Sequence, residues 1–157
     1  MSDATRDKPD GMEMALLLGG VAAIVVAYFL PAVTFTGRGG AVFGLSVLDK
    51  VPLMSMVAFA GLAAAVATRF VPSLQKHAEQ ATVIAILLAL APALWGFMVA
   101  LDAWSGVRAT MLQMASARTV KVDPGLAYVP LVLGATMLGF SLRQRMRRAA
   151  PADGQPA

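Results

Sequence analysis

The sequence predicts an all-α membrane protein: a four-transmembrane-helix bundle with a small extracytoplasmic β-sheet formed by loops 1 and 3. Its 157 residues are 58% hydrophobic and only 14% charged, which is outside the usual balance of a soluble domain. The run from Gln80 to Leu101 contains no charged residue, and about 20 apolar residues match the ~30 Å hydrocarbon thickness of a bilayer. A core helix of a soluble protein, the alternative for this run, seldom continues so far without a charge.

Residues 1–13 are rich in charge and have no apolar periodicity, so we expect a flexible cytoplasmic arm. The apolar stretch after it predicts the first spanning helix, at about 14–34. A secretory signal is the alternative for this stretch. It is disfavoured because the arm has no positive excess, the apolar run is longer than a signal core, and no small-x-small cleavage site follows.

The first loop predicts a β-hairpin, because apolar and polar residues alternate on both sides of Gly37-Arg38-Gly39-Gly40. Its strands are expected near Val33 to Thr36 and Ala41 to Val47. A phosphate-binding loop is the other interpretation of the glycines. The sequence lacks the G-x-x-x-x-G-K-[ST] pattern and has no helix directly after the glycines, which argues against that interpretation.

The second helix is predicted at about 52–70, with Pro52 in its first turn. Its middle is rich in small residues, and Gly61 and Ala65 share one face. In lipid, close approach of helix backbones through such residues is a main source of contact energy. We therefore assign helix packing to Gly61 and Ala65, and to Gly134 and Gly139 in the fourth helix. The sequence leaves open whether the face of helix two meets another helix of this chain or a partner.

The third helix is predicted at about 78–102 and contains Pro92, which removes a backbone hydrogen bond and favours a kink. After Ser105-Gly106, a short amphipathic helix on the membrane surface is expected. It would include Met111 and Met114, whose M-x-x-M spacing also suits copper(I). No His or Cys lies nearby, and the same spacing serves an apolar helix face. We predict no metal site and no cofactor.

The alternation from Arg118 to Asp123 predicts one further strand, at Thr119 to Val122. A two-stranded hairpin is only marginally stable, so this strand is expected to complete a sheet with loop 1. Apolar side chains of the two loops would then meet above the helix ends. The row formed by these apolar side chains is predicted to be an outer-face docking surface, made of Phe35, Phe43, Val120 and Val122.

The fourth helix is predicted at about 125–142, and a basic, then disordered, cytoplasmic tail at 143–157. Four arginines of the tail are assigned to anionic lipid headgroups of the inner leaflet, namely Arg143, Arg145, Arg147 and Arg148. With four spans, eight Lys and Arg residues flank the side of the termini and five flank the other side. This count predicts a multi-pass inner-membrane protein with both termini cytoplasmic. The preference for Arg and Ala suggests a bacterial, GC-rich origin.

The sequence contains little that indicates chemistry. The four apolar runs carry no charge, which argues against a proton-coupled transporter, a voltage sensor or an ion path formed by one chain. Asp102 is the nearest candidate, but it lies at a helix end and can reach water or Arg108. His77, the single histidine, has no evident Ser or Asp partner. We therefore predict no catalytic residue and no enzyme activity, and the lack of cysteine excludes thiol chemistry.

The order of four helices, with a hairpin after the first and a strand before the fourth, resembles the layout of claudin-type membrane proteins. The resemblance implies that topology alone, because the first loop is far shorter and lacks the tryptophan and cysteine signature of claudins.

Two functions are consistent with this sequence. The first is a small non-catalytic membrane protein, an accessory or structural subunit that packs against a larger membrane complex or oligomerises. The alternative is a component of an oligomeric transporter or channel, with Pro92 and Asp102 near its path. The expected partners are anionic lipids and either a membrane protein or further copies of the chain, with no nucleic acid.

Overall fold

The computed structural model describes residues 11–36, 42–113 and 121–149, and it is mostly helical with one small sheet. In chain order the elements are α1 (Gly11–Phe29), β1 (Pro31–Thr36), β2 (Val42–Ser46), α2 (Val47–Lys50), α3 (Pro52–Phe70), a 3-10 helix (Pro72–His77), α4 (Ala78–Gln113), β3 (Lys121–Pro124) and α5 (Tyr128–Ala149).

Three helical segments of the described chain are long and apolar enough to cross a membrane: Gly11–Phe29, Pro52–Phe70 and Pro72–Val99. They are compatible with a membrane protein. Helix α5 is not among them, because arginines occupy its last two turns. Its charge-free part, residues 128–142, covers about 22 Å at the usual rise of an α-helix.

Helix α1 begins and ends earlier than the predicted 14–34. Gly11 to Glu13 form its first turn, so the predicted arm of residues 1–13 extends too far along the chain; residues 1–10 lie outside the described part. Leu30 leaves the helix because Pro31 disfavours the helical conformation of the residue before it. Pro31 then starts β1.

The helices associate as two pairs, α1 with α5 and α3 with α4. The first pair meets at two glycines. A Cβ at Gly20 would stand 2.9 Å from the carbonyl oxygen of Gly134, and one at Gly134 would stand 2.6 Å from that of Gly20. Only residues without a side chain allow backbones this close. Gly134 therefore makes the close helix contact predicted for it. A Cβ built at Gly139 meets no atom of another helix or strand within 4 Å in the described part of the chain.

The second pair also meets through small residues. A Cβ at Gly61 would stand 2.9 Å from Cδ1 of Leu88 on α4, and Ala65 is fully buried. Helix α4 contributes buried alanines that recur every seven or four residues, Ala78, Ala85, Ala89 and Ala93. The small-residue face of helix α3, which the sequence left without an assigned neighbour, thus packs against the same chain.

Pro92 lies inside α4 and is buried. Because proline has no N–H, the carbonyl of Leu88 loses its usual helical donor. At the neighbouring carbonyl, the hydroxyl of Tyr28 donates a 2.7 Å hydrogen bond to Ala89. The Tyr28 ring also packs against Phe59 of α3, with centroids 5.1 Å apart. The region of the proline is therefore part of the core that holds α1 against α3 and α4.

Helix α4 is one helix of 36 residues, so the predicted end near 102 and the separate surface helix after Ser105-Gly106 are wrong. The Ser105 hydroxyl donates at 2.7 Å to the carbonyl of Asp102, three residues earlier in the same helix, so this bond does not cap the start of a new helix. One glycine, Gly106, costs a helix only about 1 kcal/mol relative to alanine, which is insufficient to break it. At about 54 Å the helix exceeds the ~30 Å hydrocarbon layer, so its end extends beyond the apolar segment.

The predicted sheet is present, with β1 in the centre and the strand order β2-β1-β3. Both pairings are antiparallel, and Phe35 of β1 stands opposite Phe43 on one side and Val122 on the other. The third strand lies at Lys121–Pro124, later than the predicted Thr119 to Val122. Pro124 is tolerated because β3 is an edge strand. Thr119 and Val120 lie outside the described residues.

The turn after β3 explains why α5 starts at Tyr128 rather than near 125. The Gly125 and Ala127 N–H groups donate to the Ala32 and Pro31 carbonyls at 2.8 and 3.2 Å, so they are held to β1 instead of starting a helix. A Cβ at Gly125 would overlap the carbonyl oxygen of Pro31. The opposite end of α5 continues past the predicted residue 142 to Ala149, because its Arg and Gln residues are good helix formers.

The register of the sheet gives a first prediction. The chain has no cysteine, and Thr34 stands opposite Asp123. Paired residues of antiparallel strands have Cα separations suited to a disulfide. We expect the Thr34→Cys/Asp123→Cys variant to crosslink on mild oxidation, measured as a mobility shift that reductant reverses.

The matched control is Phe35→Cys/Asp123→Cys, which is one residue out of register and places the two Cβ atoms on opposite faces of the sheet. It should crosslink poorly. Equal crosslinking of the two variants would contradict the pairing of β1 with β3.

Candidate functional site

A buried ion pair lies at the end of the bundle opposite the sheet. Glu13 of α1 and Arg69 of α3 approach to 2.7 Å between Oε1 and Nη1, and their side chains are only 4% and 1% exposed. The charge of Arg69 is thus removed from water close to the end of an apolar helix. Such a charge is tolerated only when it is paired and hydrogen-bonded.

Further hydrogen bonds extend the pair to all four long helices. Nη2 of Arg69 donates to the Thr82 hydroxyl on α4 at 3.2 Å, and that hydroxyl donates to the Ala78 carbonyl at 2.7 Å. From α5, the buried Ser141 hydroxyl donates to the backbone oxygen of Glu13 at 3.3 Å. We call Glu13, Arg69, Thr82 and Ser141 the polar network.

Two arginines of α5 form the rim of the polar network. Arg145 donates from Nη2 to the Gln75 carbonyl at 2.8 Å, and its Nε lies 3.8 Å from Oε1 of Glu79. Nη1 of Arg148 lies 3.7 Å from Oε2 of Glu13. These side chains are 21% and 44% exposed, so the rim, unlike the pair beneath it, is in contact with the surroundings.

Three buried polar side-chain atoms of the described residues are unsatisfied, one in the polar network and two outside it. The Nε of Arg69 and the side-chain oxygens of Tyr128 and Gln144 are buried without a hydrogen-bond partner in the described part of the chain. An unsatisfied buried polar atom costs free energy. The Arg69 guanidinium therefore retains one donor that the described residues leave unused.

The polar network links helices, and its four side chains do not form a metal-binding site. Within residues 11–36, 42–113 and 121–149, no group of three His, Cys, Asp or Glu is placed to hold a metal ion. His77 is exposed, with Nδ1 3.3 Å from the Gln80 side-chain oxygen. Asp102 is exposed as well.

The other predicted site residues fall in separate places. Of the four tail arginines, Arg145 and Arg148 belong to the rim, whereas Arg143 and Arg147 are exposed on the rest of α5. On the predicted docking row, Phe35 is half-buried in the central strand. Phe43 and Val122 are its partners in register.

A small capping site lies between the sheet and α3. The N–H of Asp49 donates to the Ser46 hydroxyl oxygen at 3.1 Å, and the Ser46 hydroxyl donates to the Asp49 carboxylate at 2.7 Å. The Ser46 backbone N–H also donates to this carboxylate, at 3.3 Å. The bonds from the Ser46 hydroxyl and N–H hold the pKa of the Asp49 carboxyl below its usual range. The capping box satisfies backbone donors at the start of α2 and so stabilises the helix start directly after β2.

Sequence reasoning missed the polar network. The charge pattern of residues 1–13 predicts a flexible arm that includes Glu13, and Arg69 enters the sequence prediction only as one of the eight basic residues that flank the side of the termini. The available signal was topological: with four spans, Glu13, Arg69 and the tail arginines all lie at one end. Opposite charges at the same depth on neighbouring helices indicate a pair.

Comparison of the chain with protein-family models, curated proteins and solved structures finds no match. The polar network and the sheet are therefore interpreted from their own geometry.

The ion pair gives a second prediction. Glu13→Gln leaves the Arg69 charge buried without its counter-charge, which typically costs about 3–5 kcal/mol. We expect a large loss of stability of the full chain in mild detergent, measured as a fall in unfolding midpoint. Glu13→Leu/Arg69→Leu removes both charges and should recover much of that loss.

The control is Glu79→Gln, which also removes a carboxylate beside an arginine. Glu79 is 42% exposed and its pair with Arg145 spans 3.8 Å, so its loss should cost about 0–1 kcal/mol. Equal effects of Glu13→Gln and Glu79→Gln would show that burial of the Glu13–Arg69 pair has no energetic role.

Proposed function

We propose that this chain is a small non-catalytic integral membrane protein that works by binding other membrane proteins, as an accessory subunit of a larger complex or as a homo-oligomer. The observation that carries the proposal is how the buried charge is used. Glu13 and Arg69 are the buried charged side chains of the described residues, and both are bonded to neighbouring helices. Because each of these charges is bonded to another helix of the same chain, the pair stabilises the helix bundle.

The proposed topology has four spans in the inner membrane, with both termini in the cytoplasm. The packing of α5 on α1 supports a fourth span. Ser141 bonds to Glu13 at one end of this pair, and the turn after β3 bonds to Pro31 at the other. If α1 crosses the bilayer, α5 therefore crosses beside it. The polar network then lies on the cytoplasmic side, with the tail arginines.

The outer sheet is the proposed docking surface. It joins the ends of both helix pairs, because β1 and β2 connect α1 with α2 and α3, while β3 precedes α5. A surface fixed to four helices loses little conformational freedom when a partner binds, which favours affinity. Phe35, in the middle strand and half-buried, is its central apolar residue.

A component of an oligomeric transporter or channel is the second candidate. The observation that favours it is Asp102, an exposed carboxylate in the interior of the continuous helix α4, directly after the apolar segment. Several copies would place several such carboxylates together. Within one chain Tyr28 occupies the side of α4 beside the buried Pro92, where it donates to the Ala89 carbonyl, so the path of this second candidate is proposed to lie between chains.

A third prediction separates these functions. After extraction in mild detergent, a stoichiometric larger partner is expected to co-purify with the chain, as measured by native mass spectrometry. Phe35→Ala should reduce the amount of partner severalfold because it removes the central apolar contact. Phe70→Ala is the control, since Phe70 is an exposed phenylalanine (63%) at the opposite end of the bundle.

A symmetric assembly of this chain alone, in which Asp102→Asn abolishes ion or solute flux in vesicles, would favour the transporter. A monomer without partner in several mild detergents would contradict both forms of the proposal.

A fourth prediction tests the topology. Single cysteines at Ser2 and Gln155 should be protected from an impermeant thiol reagent in intact cells, and cysteines at Arg38 and Arg118 should react. Labelling at either terminus would overturn the proposed orientation. Opposite results for the two termini would exclude an even number of spans.

A further inference from the structure

We propose that α4 can tilt at Pro92 and that the hydroxyl of Tyr28 is a latch that holds it in one position. The part of α4 after the proline, residues 93–113, is then a movable arm, and we call it the distal arm. The motion involves one helix of a single chain and needs no partner. A failure of this proposal would therefore leave the proposed function standing, and the reverse also holds.

The part of α4 before the proline is held firmly. This proximal segment, residues 78–91, packs against α3, where a Cβ at Gly61 would stand 2.9 Å from Cδ1 of Leu88. Near its start, the Thr82 hydroxyl accepts a hydrogen bond from the buried Arg69. Close packing and a buried polar bond leave this segment little freedom to move.

The distal arm packs more loosely. A Cβ at Gly96 would stand 3.6 and 3.7 Å from side-chain carbons of Val47 and Val51, which is ordinary van der Waals contact and leaves room for the methyl group that glycine lacks. The rings of Phe97 and Tyr128 meet edge to face with centroids 5.6 Å apart. The arm therefore touches α2 and the start of α5 without interlocking with them, so these contacts permit a tilt.

The joint between these two parts is a weak point of the helix. Pro92 has no N–H for the Leu88 carbonyl, and helices bend at prolines and where a side chain joins the backbone ladder. Both conditions occur here, because the Tyr28 hydroxyl donates to the Ala89 carbonyl at 2.7 Å. Tyr28 is fully buried, and its ring packs on Phe59 of α3 with centroids 5.1 Å apart. A donor fixed between α1 and α3 thus holds the turn at which α4 can tilt.

A tilt at Pro92 would move the arm relative to the sheet. Helix α4 contacts β1 and α2, and the arm is about 31 Å long at the usual helical rise. A change of about 20° in the direction of the arm displaces its end by about 10 Å. Since one hydrogen bond shifts an equilibrium about fivefold, loss of the latch is enough to change the share of molecules with a tilted arm.

The test measures the position of the arm with two spin labels. The chain has no cysteine, so labels are placed at Ser105→Cys on the arm and Lys50→Cys on α2, both at exposed positions. Double electron–electron resonance on the full chain in mild detergent gives their distance distribution. Tyr28→Phe removes the hydroxyl and keeps the ring. We expect it to increase the population outside the main distance about fivefold.

Tyr128→Phe is the matched control. It also removes a tyrosine hydroxyl, but that oxygen is buried without a hydrogen-bond partner in the described part of the chain, so the distance distribution should stay as in the wild type. An equal response to Tyr128→Phe and Tyr28→Phe would contradict the proposal. A second label pair, Leu18→Cys/Ile84→Cys, joins α1 to the proximal segment and should not respond to Tyr28→Phe. Equal broadening of both label pairs would show a general loosening of the bundle and would overturn the latch.

Pro92→Ala tests the pivot. Alanine restores the N–H donor for the Leu88 carbonyl, so in this background Tyr28→Phe should leave the Ser105–Lys50 distance unchanged. The same increase with and without Pro92 would place the motion elsewhere, and no increase in Tyr28→Phe would show that the hydroxyl is not a latch; either result counts against the proposal. If Tyr28→Phe does not fold, Pro92→Ala alone should narrow the wild-type distribution, and an unchanged width would rule out the pivot.

Discussion

The burial of the Arg69 guanidinium is the constraint on which the arrangement of the helices depends. A charge with 1% exposure at the end of α3 is costly unless a carboxylate and further acceptors surround it. Glu13 supplies the carboxylate and Thr82 a hydroxyl, and the two come from different helices. The position of one side chain therefore fixes the rotation of α1 and α4 about their axes.

The glycine and alanine contacts set the distances that this pairing requires. Gly20 and Gly134 let the backbones of α1 and α5 touch, which brings Ser141 to the backbone of Glu13. In the second helix pair, the buried alanines likewise let the backbones of α3 and α4 lie close together. In lipid the hydrophobic effect does not press helices together, so in a membrane close packing and the buried polar bonds would carry the association between these helices. At the opposite end, the sheet joins the two helix pairs through backbone hydrogen bonds.

The sequence was sufficient for features that depend on composition and local pattern. The apolar helices follow from the length and composition of the charge-free runs. The hairpin that contains Phe35, with its third strand, follows from alternation and from the instability of two isolated strands. Pattern failed where a distant contact decided the outcome. Gly106 has a low helix propensity and therefore suggests a helix end. Propensity is a weak signal, however, and α4 continues through Gly106 to Gln113. Glu13 looked solvated because its partner lies 56 residues away, and no periodicity encodes that distance.

The position of Glu13 at the start of α1 also reconciles the ion pair with the order in which the chain is made. Helix α1 is synthesised before Arg69 exists, so its carboxylate must be without a partner for a time. If α1 crosses a bilayer, Glu13, two residues from the helix start, would stay hydrated in the headgroup zone, where a charge costs far less than at the bilayer centre. In the folded chain α3 brings Arg69 to Glu13, and α5 adds Ser141 and Arg148 beside the pair. A glutamate deeper in α1 would make the same bond but would face the full cost of insertion first.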